Sequence, residues 1–262
     1  MHEELAVAVD AAKDAGSLVK KMLGSIDAVE KTKNNLVTTA DLAAEDAIIS
    51  IIKKQFPAHS ICAEEHHGTT IVDSENLWII DPLDGTNNYA HAIPHYCVSI
   101  AYAEKGIVVA GVVFDPVRDE CFTAVQGEGA FLNGKRIAVS LCERLDQSII
   151  ATGFAYDRGH IMETTLESIH GLFTSNIRGI RRSGSAALDM CWVACGRFDG
   201  YFEYLLSVWD FAAGMLIVRE AGGACDDRAG NPIALTATSI ATSNGRIHRD
   251  FIDVVRWRGR LK

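Results

Sequence analysis

The chain has 262 residues, 48% of them hydrophobic and 23% charged, with 25 Lys and Arg against 34 Asp and Glu for a net charge of −9. Such a composition belongs to a folded globular chain with a sizeable core, and the acidic excess argues against a dedicated nucleic-acid binder, whose surface carries excess positive charge. The first residues lack the basic and apolar regions of a secretory signal, and the most apolar run, Gly106 to Phe114, falls far short of the roughly 20 residues that a membrane helix needs. The seven cysteines are odd in number, scattered and free of any Cys-x-x-Cys pair, so the expectation is a cytoplasmic chain with reduced thiols and no membrane span.

In chain order, Leu5, Val9, Ala12, Gly16, Val19 and Leu23 recur at alternating intervals of four and three, which predicts a helix over Glu3 to Leu23. A polar stretch with Lys31, Lys33, Asn34 and Asn35 follows. Asp41 then reads as the cap of a second helix that carries Ile48, Ile52 and Phe56 and is stopped by Pro57. Leu77-Trp78-Ile79-Ile80 reads as a short buried strand, ended by a turn at Asp81-Pro82 and Asp84-Gly85. Three β-rich runs come next, Cys97 to Tyr102, Ile107 to Phe114 and Glu120 to Val125, and predict an antiparallel meander. The second half is mixed: a strand at Ser148 to Thr152, then helices near Thr164 to Phe173, Ser185 to Cys195 and Asp210 to Ala221, the last closed by Gly222-Gly223. A soft boundary near residue 141 divides the chain into 1–141 and 142–262 without a linker, so the two parts are expected to share an interface.

The sharpest local feature is Asp81-Pro82-Leu83-Asp84-Gly85-Thr86. A turn needs only one Asp and one Gly. Two acids three positions apart, with a proline fixing the backbone between them, can instead aim both carboxylates and an intervening carbonyl at a hard cation. Gly85-Thr86 can offer backbone N–H groups to a phosphate oxygen, most effectively if a helix begins there. Glu64-Glu65, Asp41 and Asp210 are further acids that could join, although each also reads as a helix cap or a solvated surface group.

These motifs resemble the inositol monophosphatase family of metal-dependent phosphatases. Asp81-Pro-Leu-Asp84-Gly-Thr86 matches its first signature, and Trp209-Asp210-Phe-Ala-Ala-Gly-Met-Leu-Ile-Val-Arg-Glu220-Ala-Gly-Gly223 matches its second. Leu36-Val-Thr38-Thr-Ala-Asp41, Glu64-Glu65, the run from Gly127 to Lys135 and Gly184-Ser-Ala-Ala187 fall in the family's order, so the resemblance spans essentially the whole chain. It implies an α+β fold, a layered αβαβα sandwich of the inositol monophosphatase and fructose-1,6-bisphosphatase type, and a homodimer. It also implies two to three Mg²⁺ ions. Glu64, Asp81 and the Leu83 carbonyl would hold one, Asp81, Asp84 and Asp210 a second, and Glu64 a weaker third. Unit charges 4 Å apart repel by about 4 kcal/mol at an effective dielectric of 20, so converging carboxylates need such ions.

By the same resemblance, the reaction is hydrolysis of a phosphate monoester, with myo-inositol 1-phosphate the expected substrate, fructose 1,6-bisphosphate or another sugar or nucleotide phosphate the alternative, and lithium an inhibitor. Asp41 and Thr86 would orient and deprotonate the attacking water. Gly85, Thr86 and Asp210 would face the substrate, and Gly184, Ser185, Ala186 and Glu203 would contact the leaving group. Lys33 and Glu65 are possible loop contributors. Ala63, Asn87 and Tyr89 depart from the family pattern and bear on the shape of the substrate mouth. Among the remaining features, Pro94 breaks the helix that a zinc pair of His91 and His95 would need, His66-His67 faces opposite ways if extended, and Cys191 and Cys195 read as small core residues. The basic run from Arg246 to Lys262 can complement a helix dipole. A second role in binding RNA or RNA polymerase is its sharper alternative, because some bacterial members of the family are implicated in ribosomal RNA transcription.

Overall fold

A computed structural model of the chain describes residues 3–24, 28–32, 35–65, 74–156 and 158–256. The first helix, α1 (Glu3–Met22), follows the apolar stripe of the sequence and buries Leu5, Ala8, Ala12, Ala15 and Val19. A hairpin of β1 (Ala28–Thr32) and β2 (Asn35–Thr38) leads into α2 (Thr39–Gln55). One expectation is corrected here. The cap of α2 is Thr38, whose hydroxyl oxygen accepts from the Ala40 N–H, while Asp41 lies three residues on and accepts from the Thr38 N–H at 2.8 Å. In this reciprocal box both residue types suit a helix start, so periodicity alone does not separate them.

β3 (Ser60–Ala63) runs parallel to β4 (Asn76–Asp84). The short helix α3 (Thr86–Ala90) separates β4 from the predicted meander, which is formed by β5 (Cys97–Glu104), β6 (Ile107–Asp115) and β7 (Glu120–Val125) and extended by β8 (Gly129–Leu132) and β9 (Lys135–Arg136). β3 to β9 make one seven-stranded sheet in chain order. The turn expected at Asp81-Pro82 is a second correction, because β4 continues to Asp84. Asp81 pairs with Ser99 and Asp84 with Cys97, so three steps on β4 oppose two on β5. The extra residue makes a bulge, where Pro82 leaves no ladder donor missing.

The second sheet combines β10 (Ile149–Thr152), β11 (Gly179–Arg181), β12 (Gly200–Leu206), β13 (Ala224–Asp226) and β14 (Thr238–Ser243) in the order β11-β10-β12-β14-β13. β10 is parallel to β11 and β12, and β14 is antiparallel to β12 and β13. The remaining helices are α4 (His160–Thr174), α5 (Ala186–Ala194), α6 (Val208–Glu220) and α7 (His248–Val255). α1 and α2 cover one face of the larger sheet, α5 and α6 lie between the sheets, and α4 and α7 pack on β12 and β14 of the smaller one. The result is an αβαβα stack. α5 and α6 are apolar almost all round because both flanks meet a sheet: Ala187, Leu188, Met190, Cys191, Phe211, Ala213 and Ile217 are completely buried. Gly111 of β6 permits the close approach, since a Cβ there would stand 3.2 Å from the Ala213 backbone.

Candidate active site

A cavity of about 630 Å³ opens where the C-terminal end of β4, the start of α3, the N-termini of α5 and α6 and the ends of β10 and β12 converge. Its described lining includes six acids, Glu64, Asp81, Asp84, Asp189, Glu203 and Asp210, and one basic residue, Arg182. The two signatures, more than a hundred residues apart in the chain, therefore meet in one place.

The bulge in β4 sets the first group. Asp81 bends back so that its Oδ1 accepts from the Leu83 N–H at 3.0 Å, an Asx turn across Pro82. The Leu83 carbonyl then accepts from the Thr86 hydroxyl at 3.1 Å. Gly85 follows with φ of 102°, and a Cβ there would meet the His95 carbonyl at 3.0 Å and that of Gly184 at 3.3 Å, so only glycine suits both the backbone and the space. α3 does begin at Thr86.

Asp41 reaches this end of β4 from α2. Thr38 holds its Oδ2 with both the backbone N–H and the hydroxyl, at 2.8 and 2.5 Å, which leaves Oδ1 to accept from the Thr86 hydroxyl at 3.0 Å. Asp41 is buried, and burial raises its pKa above the usual carboxylate value despite these donors, with nearby Glu65 adding to the rise. Glu65 is itself placed by its backbone N–H, which donates to Glu45 at 2.8 Å. Lys33, His66 and His67 lie outside the described residues.

Asp84 crosses the layers. Its Oδ2 accepts from the Ser185 hydroxyl and the Ala187 N–H, each at 2.7 Å, and so caps the N-terminus of α5 from the opposite sheet. Ser185 thus lines the cavity while its hydroxyl serves Asp84. Gly184 and Ala186 line the cavity beside it. Asp210 is the third residue of α6 and accepts from the Ser207 N–H at 2.7 Å. Glu203 comes from β12, buried, with the Tyr201 hydroxyl donating to its Oε2 at 2.6 Å.

Sequence reasoning missed Gly153, Tyr156, Arg182, Asp189 and Tyr201, all of which line the cavity. One signal was available: Asp189 is the single acid in the apolar run of α5, and an acid buried in such a helix demands a partner. The partner is His95, whose Nε2 lies 3.0 Å from Asp189 Oδ1. His91 instead meets the Asn87 carbonyl through Nδ1 at 2.8 Å, so the two histidines serve separate partners. Of the departures from the family pattern, Asn87 donates to the Tyr156 hydroxyl at 3.5 Å at the mouth, whereas Tyr89 is buried and donates to the Val19 carbonyl.

The profile of the inositol monophosphatase family matches residues 1–258. The chain belongs to the inositol monophosphatase family. Among its relatives, the Nus factor SuhB of Escherichia coli K12 is 45% identical over 250 residues, covering 94% of this chain and 93% of that protein. The inositol-1-monophosphatase of Synechocystis is 43% identical over 248 residues, covering 94% and 86%. Among solved structures, the extragenic suppressor protein suhB of Bartonella henselae superposes with a TM-score of 0.92 at 37% identity, covering 99% and 100% of the two chains. The inositol monophosphatase of Anabaena gives 0.86 at 40% identity, covering 96% and 94%.

Inositol monophosphatases are metal-dependent, and the donor set here is of the matching kind: carboxylates and a carbonyl, all hard oxygen. As the side chains stand, no three His, Cys, Asp or Glu among the described residues are grouped closely enough to hold an ion. Asp84 has its Oδ2 turned to α5. The charge pattern nevertheless suits a cation. Burial and then repulsion from Glu64, Asp84 and Asp210 push Asp81 well above the usual carboxylate range; burial, Glu64 and Asp84 do the same to Asp210; and burial carries Asp84 to about 6.

A stability prediction follows from the sign of these shifts. Carboxyls whose folded values are raised bind more protons folded than unfolded, so in metal-free protein their contribution to stability falls as pH rises from about 4 through about 6. A divalent cation that binds the deprotonated cluster reverses the loss. The increment in thermal midpoint on adding Mg²⁺, at one concentration about a hundred times its dissociation constant near pH 8, is expected to be about 5 to 10 °C near pH 8 and to vanish near pH 5. Calorimetry with and without chelator at the two pH values checks it, and an increment equal at both would contradict it.

Proposed function

We propose that this chain is a Mg²⁺-dependent phosphate monoester hydrolase, a cytoplasmic homodimer acting best on myo-inositol 1-phosphate. The observation that carries the proposal is the hydrogen bond from Thr86 to buried Asp41, with Thr86 lining one cavity together with Asp81, Asp84, Asp210, Glu64 and Glu203. Bound at Glu64, Asp81, Asp84, Asp210 and the Leu83 carbonyl, two or three Mg²⁺ ions would acidify the attacking water and neutralise phosphoryl charge. The chain's own groups do the rest. Thr86 donates to Asp41 Oδ1, so a lone pair of its hydroxyl is left to accept a proton from the water while Thr86 passes its own to Asp41. The raised pKa of Asp41 makes it a better proton acceptor than a surface carboxylate. Gly85 and Thr86 at the start of α3 offer N–H groups to phosphoryl oxygens. Gly184 and Ala186 wall the leaving group, and the Glu203 carboxylate accepts from its hydroxyls.

A panel of myo-inositol 1-phosphate, fructose 1,6-bisphosphate, adenosine 3′,5′-bisphosphate, histidinol phosphate and NADP tests the substrate. The expected result is highest kcat/KM on the inositol ester, with inhibition by lithium; a preference for the sugar bisphosphate or the nucleotide would replace that substrate while leaving the reaction class. A second role in transcription is favoured by the 45% identity with the E. coli Nus factor. Hydrolysis of nothing in the panel with Mg²⁺ present, together with binding to RNA polymerase or RNA, would put that role in place of the first.

A further inference from the structure

We propose that Tyr201 and Gly153 are positioning residues that seat the Glu203 carboxylate to read the hydroxyls of the leaving group, and that this seat sets the preference for polyol over simple phosphate esters. The proposal rests on the phosphatase activity argued above.

Glu203 and Tyr201 are two residues apart on β12 and so share a face of the strand. Tyr201 is 1% exposed, and its hydroxyl is the only hydrogen-bond partner that the described residues give Glu203, at 2.6 Å to Oε2. On the neighbouring strand Thr152 pairs with Phe202, which brings Gly153 alongside Glu203. A Cβ at position 153 would lie 1.8 Å from Oε2 and 2.4 Å from Cδ, so any side chain there forces the carboxylate out of its place. One oxygen is thus pinned between a donor and a glycine, and Oε1 is left for hydroxyls of the bound ester.

The seat also governs charge. Burial lifts Glu203 to about 7, the Tyr201 donation and the Arg182 guanidinium between β11 and α5 pull it down, and Asp84 from β4 and Asp189 from α5 push it up. Asp210 from α6 and Tyr156 beyond β10 also face it. Loss of the Tyr201 hydroxyl removes the hydrogen bond that most favours the carboxylate, so the proton stays on to higher pH and a site that should accept hydroxyl hydrogens carries one of its own.

The test is kcat and KM for myo-inositol 1-phosphate and for 4-nitrophenyl phosphate, which has no leaving-group hydroxyl to read, with Mg²⁺ between about pH 7 and about pH 9, in wild type, Tyr201→Phe and Gly153→Ala. For Tyr201→Phe the ratio of kcat/KM, inositol ester over nitrophenyl ester, is expected to fall about tenfold near pH 7, chiefly through KM for the inositol ester, and to recover toward wild type near pH 9. For Gly153→Ala it is expected to fall at every pH, because deprotonation does not return a displaced carboxylate. A ratio that Tyr201→Phe leaves unmoved, or lowers equally across the pH range as a packing defect would, overturns the proposal. Failure of wild type to hydrolyse either ester, or any member of the panel above, overturns both this proposal and the phosphatase function, whereas hydrolysis of both esters with an unmoved ratio overturns this proposal alone.

Discussion

Asp41→Asn is expected to lower kcat by about 10² to 10⁴ while the Mg²⁺ concentration for half-maximal rate stays near that of wild type. The asymmetry follows from where Asp41 stands. Its carboxylate is occupied by Thr38 on one oxygen and Thr86 on the other, so it addresses the site through a hydroxyl. An Asn can keep the carbonyl oxygen toward one of these threonines but has no charge with which to accept a proton. Rate measured against Mg²⁺ concentration decides the point. Should the variant need far more Mg²⁺ and regain full activity when given it, Asp41 is a metal ligand and does not serve as the proton acceptor.

Asp81→Asn should produce the opposite combination, with activity and metal affinity lost together while the metal-free fold gains. Asp81 is the carboxylate pressed by three others, Glu64, Asp84 and Asp210. Asn can preserve the bond from the Leu83 N–H through its Oδ1, so the Asx turn at the bulge survives. Removing the charge relieves like-charge repulsion, and the metal-free thermal midpoint near pH 8 is expected to rise by about 2 to 4 °C, the scale of about 1 kcal/mol in a chain of this size. Turnover is expected to fall by at least about 10³, and the Mg²⁺-dependent rise in midpoint to disappear, because a charged ligand shared between ions has become neutral. A variant with unchanged Mg²⁺ stabilisation would remove Asp81 from the cation site.

What the sequence made legible has a physical pattern. α1 and the meander of β5, β6 and β7 were readable because an amphipathic period or a run of β-branched residues between turn signals suffices to define them. β3, β11 and β13 were not, being strands of only three or four residues that owe their existence to neighbours in the sheet. The ends of elements misled where one residue type serves two purposes: Asp41 imitates a cap, and Asp81-Pro82 imitates a turn, when the local pair with Thr38 makes the first a capping-box partner and pairing with β5 makes the second a bulge.

At the site, every lining acid except Asp189 was legible, Asp81, Asp84 and Asp210 through the two signatures and Glu64 and Glu203 through the resemblance to a family. Their supporting groups were not. Tyr201 sat in an aromatic run that reads equally as core, and Gly153 gains its meaning only from a carboxylate fifty residues away. Asp84 carried the most hidden consequence, for no spacing in the sequence shows that its carboxylate caps α5 and so ties the larger sheet to the middle helix layer at the point where chemistry is proposed.

The most direct measurement is phosphate release from myo-inositol 1-phosphate by the purified chain, stripped of metal with chelator and then titrated with Mg²⁺. If the acidic cluster is a cation site for phosphoryl transfer, the stripped protein is inactive and activity appears over the Mg²⁺ range in which the thermal midpoint begins to rise. Equal phosphate release before and after the titration, or a midpoint that rises with Mg²⁺ while no phosphate is released from this or any other monoester, would contradict it.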